Sequence, residues 1–221
     1  MKHINRIAVY VLGLFIITVG INLSIKSGLG SSPVSAFILP VSQITNMNLG
    51  TVTTACYVLF VLIQMVLLKK EFHIKHILQI PFSMMFGMFI DVTGTFMDYL
   101  QMENYLMQFM ALLISILLCA IGAAMYIAMD IVPNAPEGLQ LSFCKRFQLP
   151  FSKVKIVSDC MFVSLGLMIS LIFVGTIGAI REGTILSALC TGKLIKLISK
   201  VISPTLQRMA FYDDKANIQL L

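Results

Sequence analysis

Three acids stand out for where they fall. Asp91 lies in Phe89-Ile90-Asp91-Val92, Asp159 in Ser158-Asp159-Cys160, and Glu137 in Val132-Pro133-Asn134-Ala135-Pro136-Glu137-Gly138. The first two interrupt apolar runs, where an ionisable group costs about 3 kcal/mol or more and so marks a candidate pathway residue. Asp91 either lines such a pathway or serves a structural partner, with Lys196 at the matching place in the second half of the chain. Asp159 follows Lys155 by about one helical turn and either faces a pathway or sits in the headgroup zone. Glu137 either binds a cation or a proton, or complements the dipole of a helix that starts beside it. Ser31, Ser32 and Ser35 flank Pro33 as Asn134 and Gly138 flank Pro136, and these polar residues join the acids as candidate pathway residues.

Other chemistries find little support. Asp91 and Asp159 lack the Gly-x-Gly-Asp surroundings of an intramembrane aspartyl protease, and no GxSxG, HExxH or GxxxxGK[ST] stretch occurs. His73 and His76 lie three apart in a basic loop without a third ligand, and Met84-Met85-x-x-Met88 reads as flexible packing rather than a metal relay. The five cysteines (Cys56, Cys119, Cys144, Cys160, Cys190) fall singly, which implies neither a disulfide framework nor a metal site. The expectation is no enzyme, no metal and no cofactor.

The elements that must position these residues are membrane helices. The 221 residues are 58% hydrophobic with mean hydropathy +0.92, and only 12% are charged, which excludes a soluble single-core domain. Six apolar runs approach spanning length: 7–25, 51–68, 77–97, 105–128, 154–175 and 184–203. The first is too long for a signal peptide's apolar core and has no small-x-small cleavage site. A cytoplasmic N-terminus places fourteen of the sixteen Lys and Arg residues inside, leaving Lys26 and Arg181 outside. Both termini are then cytoplasmic, in a multi-pass protein of the plasma membrane. The net charge of +6 thus reports orientation and anionic headgroups, not nucleic acid. With no Trp in the chain, the six tyrosines are the aromatic residues with a polar tip for the interface.

Two breaks organise these runs. Gly28-Leu29-Gly30-Ser31-Ser32-Pro33 follows the first run, and Pro133-Asn134-Ala135-Pro136 follows the fourth. Glycine and proline end the preceding helix, yet the residues that follow are too apolar for an ordinary loop. Ser32-Pro33 reads as N-cap and N1, and Asn134 before Pro136 reads similarly. Each short helix is either a re-entrant or broken segment offering its N–H groups within the membrane, or an amphipathic helix lying at the interface. Gly13, Gly20, Ser115, Cys119 and Gly122-Ala123-Ala124 read as close-packing faces.

The halves also repeat. Gly20 set on Gly122 brings Ser35 to Glu137; with small slips, Thr51 meets Val154, Gln79 meets Thr184 and Gly87 meets Gly192. Three spans per unit is an odd number, so the second unit must cross in the opposite sense. The expected fold is all-α, a single membrane domain over 1–221. Its parts are inverted three-helix repeats at about 7–97 and 105–203 and a cytoplasmic tail at 204–221. Gly28, Gly30, Pro33, Pro133, Pro136, Gly183 and Thr184 are its structural breaks.

Gly28-Leu29-Gly30-x-x-Pro33, Leu49-Gly50-Thr51-Val52, Glu137-Gly138-Leu139 and Gly175-Thr176-x-Gly178-x5-Thr184-Ile185-Leu186-Ser187-Ala188-Leu189-x-x-Gly192 resemble the YczE/YyaS/YitT group of bacterial integral membrane proteins. The resemblance covers residues 7 to 203. Val34-Ser35 stands where members carry Trp-Asp, Pro136-Glu137 where they carry Arg-Asp, and Leu78-Gln79 where they carry Gly-Thr. It therefore implies the scaffold and assigns no substrate. The function expected is a small-solute transporter or permease, working with the lipid bilayer, a small solute or a coupling ion. The alternative is a regulator or scaffold that transports nothing. A homo-oligomer is compatible with either.

Overall fold

The computed structural model describes residues 2–177 and 180–211, with side chains over 5–74, 76–177 and 180–206. Gly178 of the glycine-rich motif and the end of the expected tail, 212–221, lie outside the described residues. Among those described there is no strand. The helices are α1 (Lys2–Ser27), α2 (Pro33–Thr45), α3 (Leu49–Leu68), α4 (Ile74–Ile77), α5 (Gln79–Met97), α6 (Tyr105–Met129), α7 (Ala135–Phe147), α8 (Phe151–Ile169) and α9 (Glu182–Phe211). A 3₁₀ turn, Lys69–Glu71, separates α3 from α4, and a π-helical segment, Ser170–Val174, prolongs α8.

Five stretches are long and apolar enough to cross a bilayer: Asn5–Ser27, Leu49–Glu71, Gln79–Met97, Tyr105–Met129 and Phe151–Val174. The protein is a multi-pass helical membrane protein. The sixth expected span, 184–203, does not reach that standard, because Lys193, Lys196 and Lys200 divide its apolar residues. Large apolar side chains nonetheless cover its outside, as on the π-helical extension of α8: Ile185, Leu189, Leu197 and Val201 are exposed, like Ile172 and Phe173.

The core is the antiparallel crossing of α1 with α6. A Cβ on Gly13 would lie 2.8 Å from the Gly122 carbonyl oxygen, and one on Gly122 would lie 2.5 Å from that of Gly13. A Cβ on Gly20 would meet Cys119 Sγ and the Ser115 carbonyl. Small residues thus let the two backbones touch, and in lipid such contact replaces the hydrophobic drive that water would supply. The rest packs around this pair. Asn22 Nδ2 ties α1 to α5 by donating to the Ile90 carbonyl at 2.8 Å and to Thr93 Oγ1 at 2.7 Å. α6 is flanked by α9, α2 lies on α8, and α7 lies on α3.

Contacts at the two ends of the bundle establish the course of each helix. At one end, Lys26 pairs with Asp98 at 2.7 Å, and Arg181 Nη1 donates to the Gly28 carbonyl at 3.0 Å. The end of α1, the end of α5 and the start of α9 therefore share a face. At the other end, Arg6 Nη2 donates to the Met129 carbonyl at 2.8 Å and Lys145 pairs with Glu71 at 2.9 Å. The start of α1 and the ends of α3, α6 and α7 share that face.

A candidate substrate cavity between two broken segments

Both breaks fold back into the bundle. Ser32 caps α2, its Oγ accepting from the Ser35 N–H at 3.3 Å, with Pro33 in the first helical position. Ser24 Oγ donates to the Gly30 carbonyl at 2.9 Å, one turn back from the end of α1. Gly30 has φ of 132°, a conformation glycine alone adopts readily. In the second break Asn134 caps α7, its Oδ1 accepting from the Ala135 N–H at 3.0 Å. Tyr10 Oη donates to the Val132 carbonyl at 3.2 Å, and the Tyr126 hydroxyl donates to the Glu137 carboxylate. Tyr126 lies one turn inside the end of α6, so the chain has doubled back by the time it reaches Glu137. After 13 residues each short helix ends at a residue in the left-handed region, Asn46 (φ 53°) and Gln148 (φ 55°).

The two starts meet at a cavity of about 160 Å³. Ser32 and Ser35 line it from the first break, and Asn134, Pro136 and Glu137 from the second. Tyr57, Phe86, Tyr126, Gln140, Lys155 and Asp159 complete its polar and aromatic wall, and Ile17 and Cys119 of the central crossing also reach it. Lys155 pairs with Asp159 at 3.1 Å. A larger vestibule of about 450 Å³ adjoins it, bounded by Asp130, Pro133, Leu141 and Phe151 on one side and Gly192 of α9 on the other. Tyr126, Glu137, Lys155 and Ile195 line both spaces, so the Tyr126–Glu137 bond stands where one passes into the other.

Three candidates lie elsewhere. Asp91 is not on this cavity: its Oδ1 accepts from the Gly50 N–H at 2.7 Å, capping the open start of α3. The expected pairing with Lys196 gives way to that bond, and Lys196 is exposed. Ser31 is buried against α9, its N–H donating to Thr184 Oγ1 at 3.3 Å. Beside it the Gly183 N–H donates to the Leu29 carbonyl at 2.8 Å, so Gly183 and Thr184 dock α9 on the first break. Gly138 faces away from the cavity, where a Cβ would lie 2.8 Å from Gln79 Oε1 and 2.9 Å from Gln64 Oε1.

Those glutamines are a feature that sequence reasoning passed over. Gln64 and Gln79 are 0% and 2% exposed and bond each other reciprocally, at 3.0 and 3.1 Å. Gln64 also donates to the Ala135 carbonyl at 3.3 Å, which pins the second break to α3 and α5. The signal was a lone amide within each apolar run, together with the register that set Gln79 on Thr184. Tyr10, Tyr57 and Tyr126 correct the interfacial assignment of the tyrosines. All three are buried, because the second break offers their hydroxyls polar partners at depth or a polar cavity to face.

A family of unknown function, DUF6198, matches residues 4–200. The chain belongs to that family. The YyaS part of the expected resemblance agrees with its curated relatives. It is 24% identical to the uncharacterized protein YyaS of Bacillus subtilis over 197 residues, covering 87% of this chain and 92% of that one. It is also 24% identical to an uncharacterized protein of Haemophilus influenzae over 201 residues, covering 90% of this chain and 85% of the relative. No solved structure matches the DUF6198 chain.

Proposed function

We propose that this DUF6198 protein is a small-solute permease of the plasma membrane, built from two inverted three-span repeats with α9 as the sixth span. The observation that carries the reading is the cavity at which both breaks meet, joined to a vestibule at one face. Irregular backbone at membrane depth persists only where protein or water satisfies it, and serines, Asn134 and Glu137 suit a hydrated space. Broken helices that meet at mid-depth are how many transporters build a substrate site.

The contacts support the symmetry. In the register that sets Gly20 on Gly122, Gly13 falls on Ser115 and Ile17 on Cys119. Gly13 abuts Gly122 while Gly20 abuts Ser115, and Cys119 Sγ reaches the Ile17 carbonyl at 3.8 Å. A residue that touches its own counterpart, between two contacts that exchange partners, is the signature of a two-fold axis. Because α1 and α6 run antiparallel, such an axis lies across them, in the membrane plane. The packing of α2 on α8 and of α7 on α3 exchanges in the same way.

The halves also differ where a permease needs them to. Gly87 is jammed against Gly50, which closes α3 on α5, while its counterpart Gly192 has nothing within 4 Å and borders the vestibule between α8 and α9. Exchanging the two arrangements opens the cavity to the opposite face, which is alternating access by rocking of repeats. In the orientation that the positive-inside bias favours, the vestibule opens to the cytoplasm, on the side of both termini. With no nucleotide-binding loop in this sequence, transport is facilitated, ion-coupled or powered by a separate subunit.

The test is an untargeted comparison of solutes inside and outside cells with and without the chain. A reproducible shift in one solute class supports the permease. Changes confined to gene expression or secondary metabolism, with solute distribution unaltered, contradict it and favour a membrane regulator.

A further inference from the structure

We propose that the cavity binds a small protonated amine, held between the Glu137 carboxylate and the side-chain carbonyl of Gln140 against the rings of Tyr57, Phe86 and Tyr126. This rests on the permease reading for its purpose, though not for its chemistry.

The charge balance comes first. Two carboxylates, Glu137 and Asp159, and one ammonium, Lys155, line the cavity. Lys155, which also borders the vestibule, is joined to Asp159 at 3.1 Å, with side chains 42% and 15% exposed, so that pair neutralises itself. Glu137 remains, with the neutral Tyr126 hydroxyl as its hydrogen-bond partner. Two helix starts would draw an anion to such a place. Here each start already has one first-turn N–H served from within, Ser32 Oγ accepting from Ser35 and Asn134 Oδ1 from Ala135.

Gln140 supplies the independent sign. It is 3% exposed and its Nε2 donates to Ser158 Oγ at 2.8 Å, yet its Oε1 is buried with no partner. Gln140 follows Glu137 by three residues on α7, so the two side chains share a face, and both line the cavity. A buried acceptor left unpaired is costly and calls for a donor. The bond from Nε2 to Ser158 holds the amide with its oxygen turned away from that hydroxyl. The group that meets a carboxylate and an orphan carbonyl together is one with several N–H donors and a positive charge.

Size and aromatic content narrow it further. Tyr57 and Phe86 stack with ring centroids 5.6 Å apart, and Tyr126 adds a third ring to the wall. Such faces attract an organic cation, while an alkyl chain is at home among Ile17, Ile21 and Val34. A cavity of about 160 Å³ resembles the ~150 Å³ void that accepts benzene, which limits the ligand to about six non-hydrogen atoms. Hydrated metal ions gain nothing from the rings.

The test titrates the purified full-length chain, in detergent micelles, with n-propylammonium chloride, sodium propionate, n-propanol and sodium chloride. Tyrosine emission reports binding directly, since the chain has no Trp to mask it. The expected result is a saturable change with propylammonium, at half-saturation at least tenfold below any seen with the other three. Glu137→Gln and Gln140→Leu should each raise that value at least tenfold. Propionate binding as tightly as propylammonium overturns the proposal, as does a propylammonium response no larger than that to propanol or sodium chloride. Should Glu137→Gln fail to fold, Gln140→Leu and the four-way selectivity still decide. A preference for propionate would leave the permease reading intact, whereas loss of solvent access to the cavity would overturn that reading instead.

Discussion

Replacing Gly87 and Gly192 by alanine, one at a time, should give opposite results although the two glycines correspond in sequence register. A Cβ on Gly87 would stand 2.0 Å from Thr54 Oγ1 and 2.4 Å from the Gly50 carbonyl oxygen, and a Cβ on Gly50 would in turn strike the Gly87 carbonyl oxygen. Real Cβ atoms do not approach so closely, so α3 and α5 must part. Overpacking of this kind costs about 1–3 kcal/mol. Alanine regains about 1 kcal/mol over glycine in a helix interior, which offsets only part of that cost. Separation would also stretch the 2.7 Å bond from Gly50 to Asp91. Gly87→Ala should therefore destabilise by up to about 2 kcal/mol net. Gly192 has nothing within 4 Å, so Gly192→Ala keeps the helix gain alone, about 1 kcal/mol in favour of this conformation. Heating the purified protein with a thiol-reactive dye, which reads the further exposure of partly buried cysteines such as Cys56 and Cys119, measures both. Equal shifts in the same direction would refute the packing asymmetry, and with it the claim that one side of the cavity is closed.

Other substitutions probe single contacts. Gln64→Leu should cost about 1–3 kcal/mol by stranding the Gln79 amide, and Gln64→Leu with Gln79→Leu should recover part of it, read as a double-mutant cycle on thermal stability. Asp91→Ala should lose about 1–3 kcal/mol by removing the charged acceptor of the Gly50 N–H, while leaving ligand binding in the cavity unchanged. Tyr10→Phe should cost about 1 kcal/mol through loss of the bond to Val132, measured in the same melt. Reporter fusions at Asn104 and Leu221 should read outside and inside; an outside signal at Leu221 would contradict the assigned orientation.

Much of the scaffold was legible because backbone punctuation is local. Ser32-Pro33 and Asn134-Ala135-Pro136 announce helix starts whatever surrounds them, and the structure begins α2 and α7 there. The glycines and small residues of α1 and α6 likewise declared a close face before their partner was known. The candidate site was less legible, because its residues are defined by what they meet. A tyrosine in an apolar run reads as interfacial until a break folds back to offer Val132 and Glu137 to Tyr10 and Tyr126. Asp91 reads as a pathway acid until α3 starts opposite it. Gln64, Gln79 and Gln140 carry no motif at all, and only tertiary contact distinguishes a paired amide from an orphaned one. The lysines of α9 hide its length from hydropathy, though the docking of Gly183 and Thr184 on the first break marks its start.

If the two broken segments line one solvent-reached cavity, thiol access reports it. Single cysteines at Ser35 and Asn134, in a chain otherwise free of cysteine, should both react with a small hydrophilic reagent supplied from the face that carries Lys145 and Lys155. Both should resist a bulky reagent, because the inner space is only about 160 Å³. If the bulky reagent instead reaches Ser35 freely from one face and Asn134 freely from the other, α2 and α7 are surface helices and there is no shared cavity for a solute to cross.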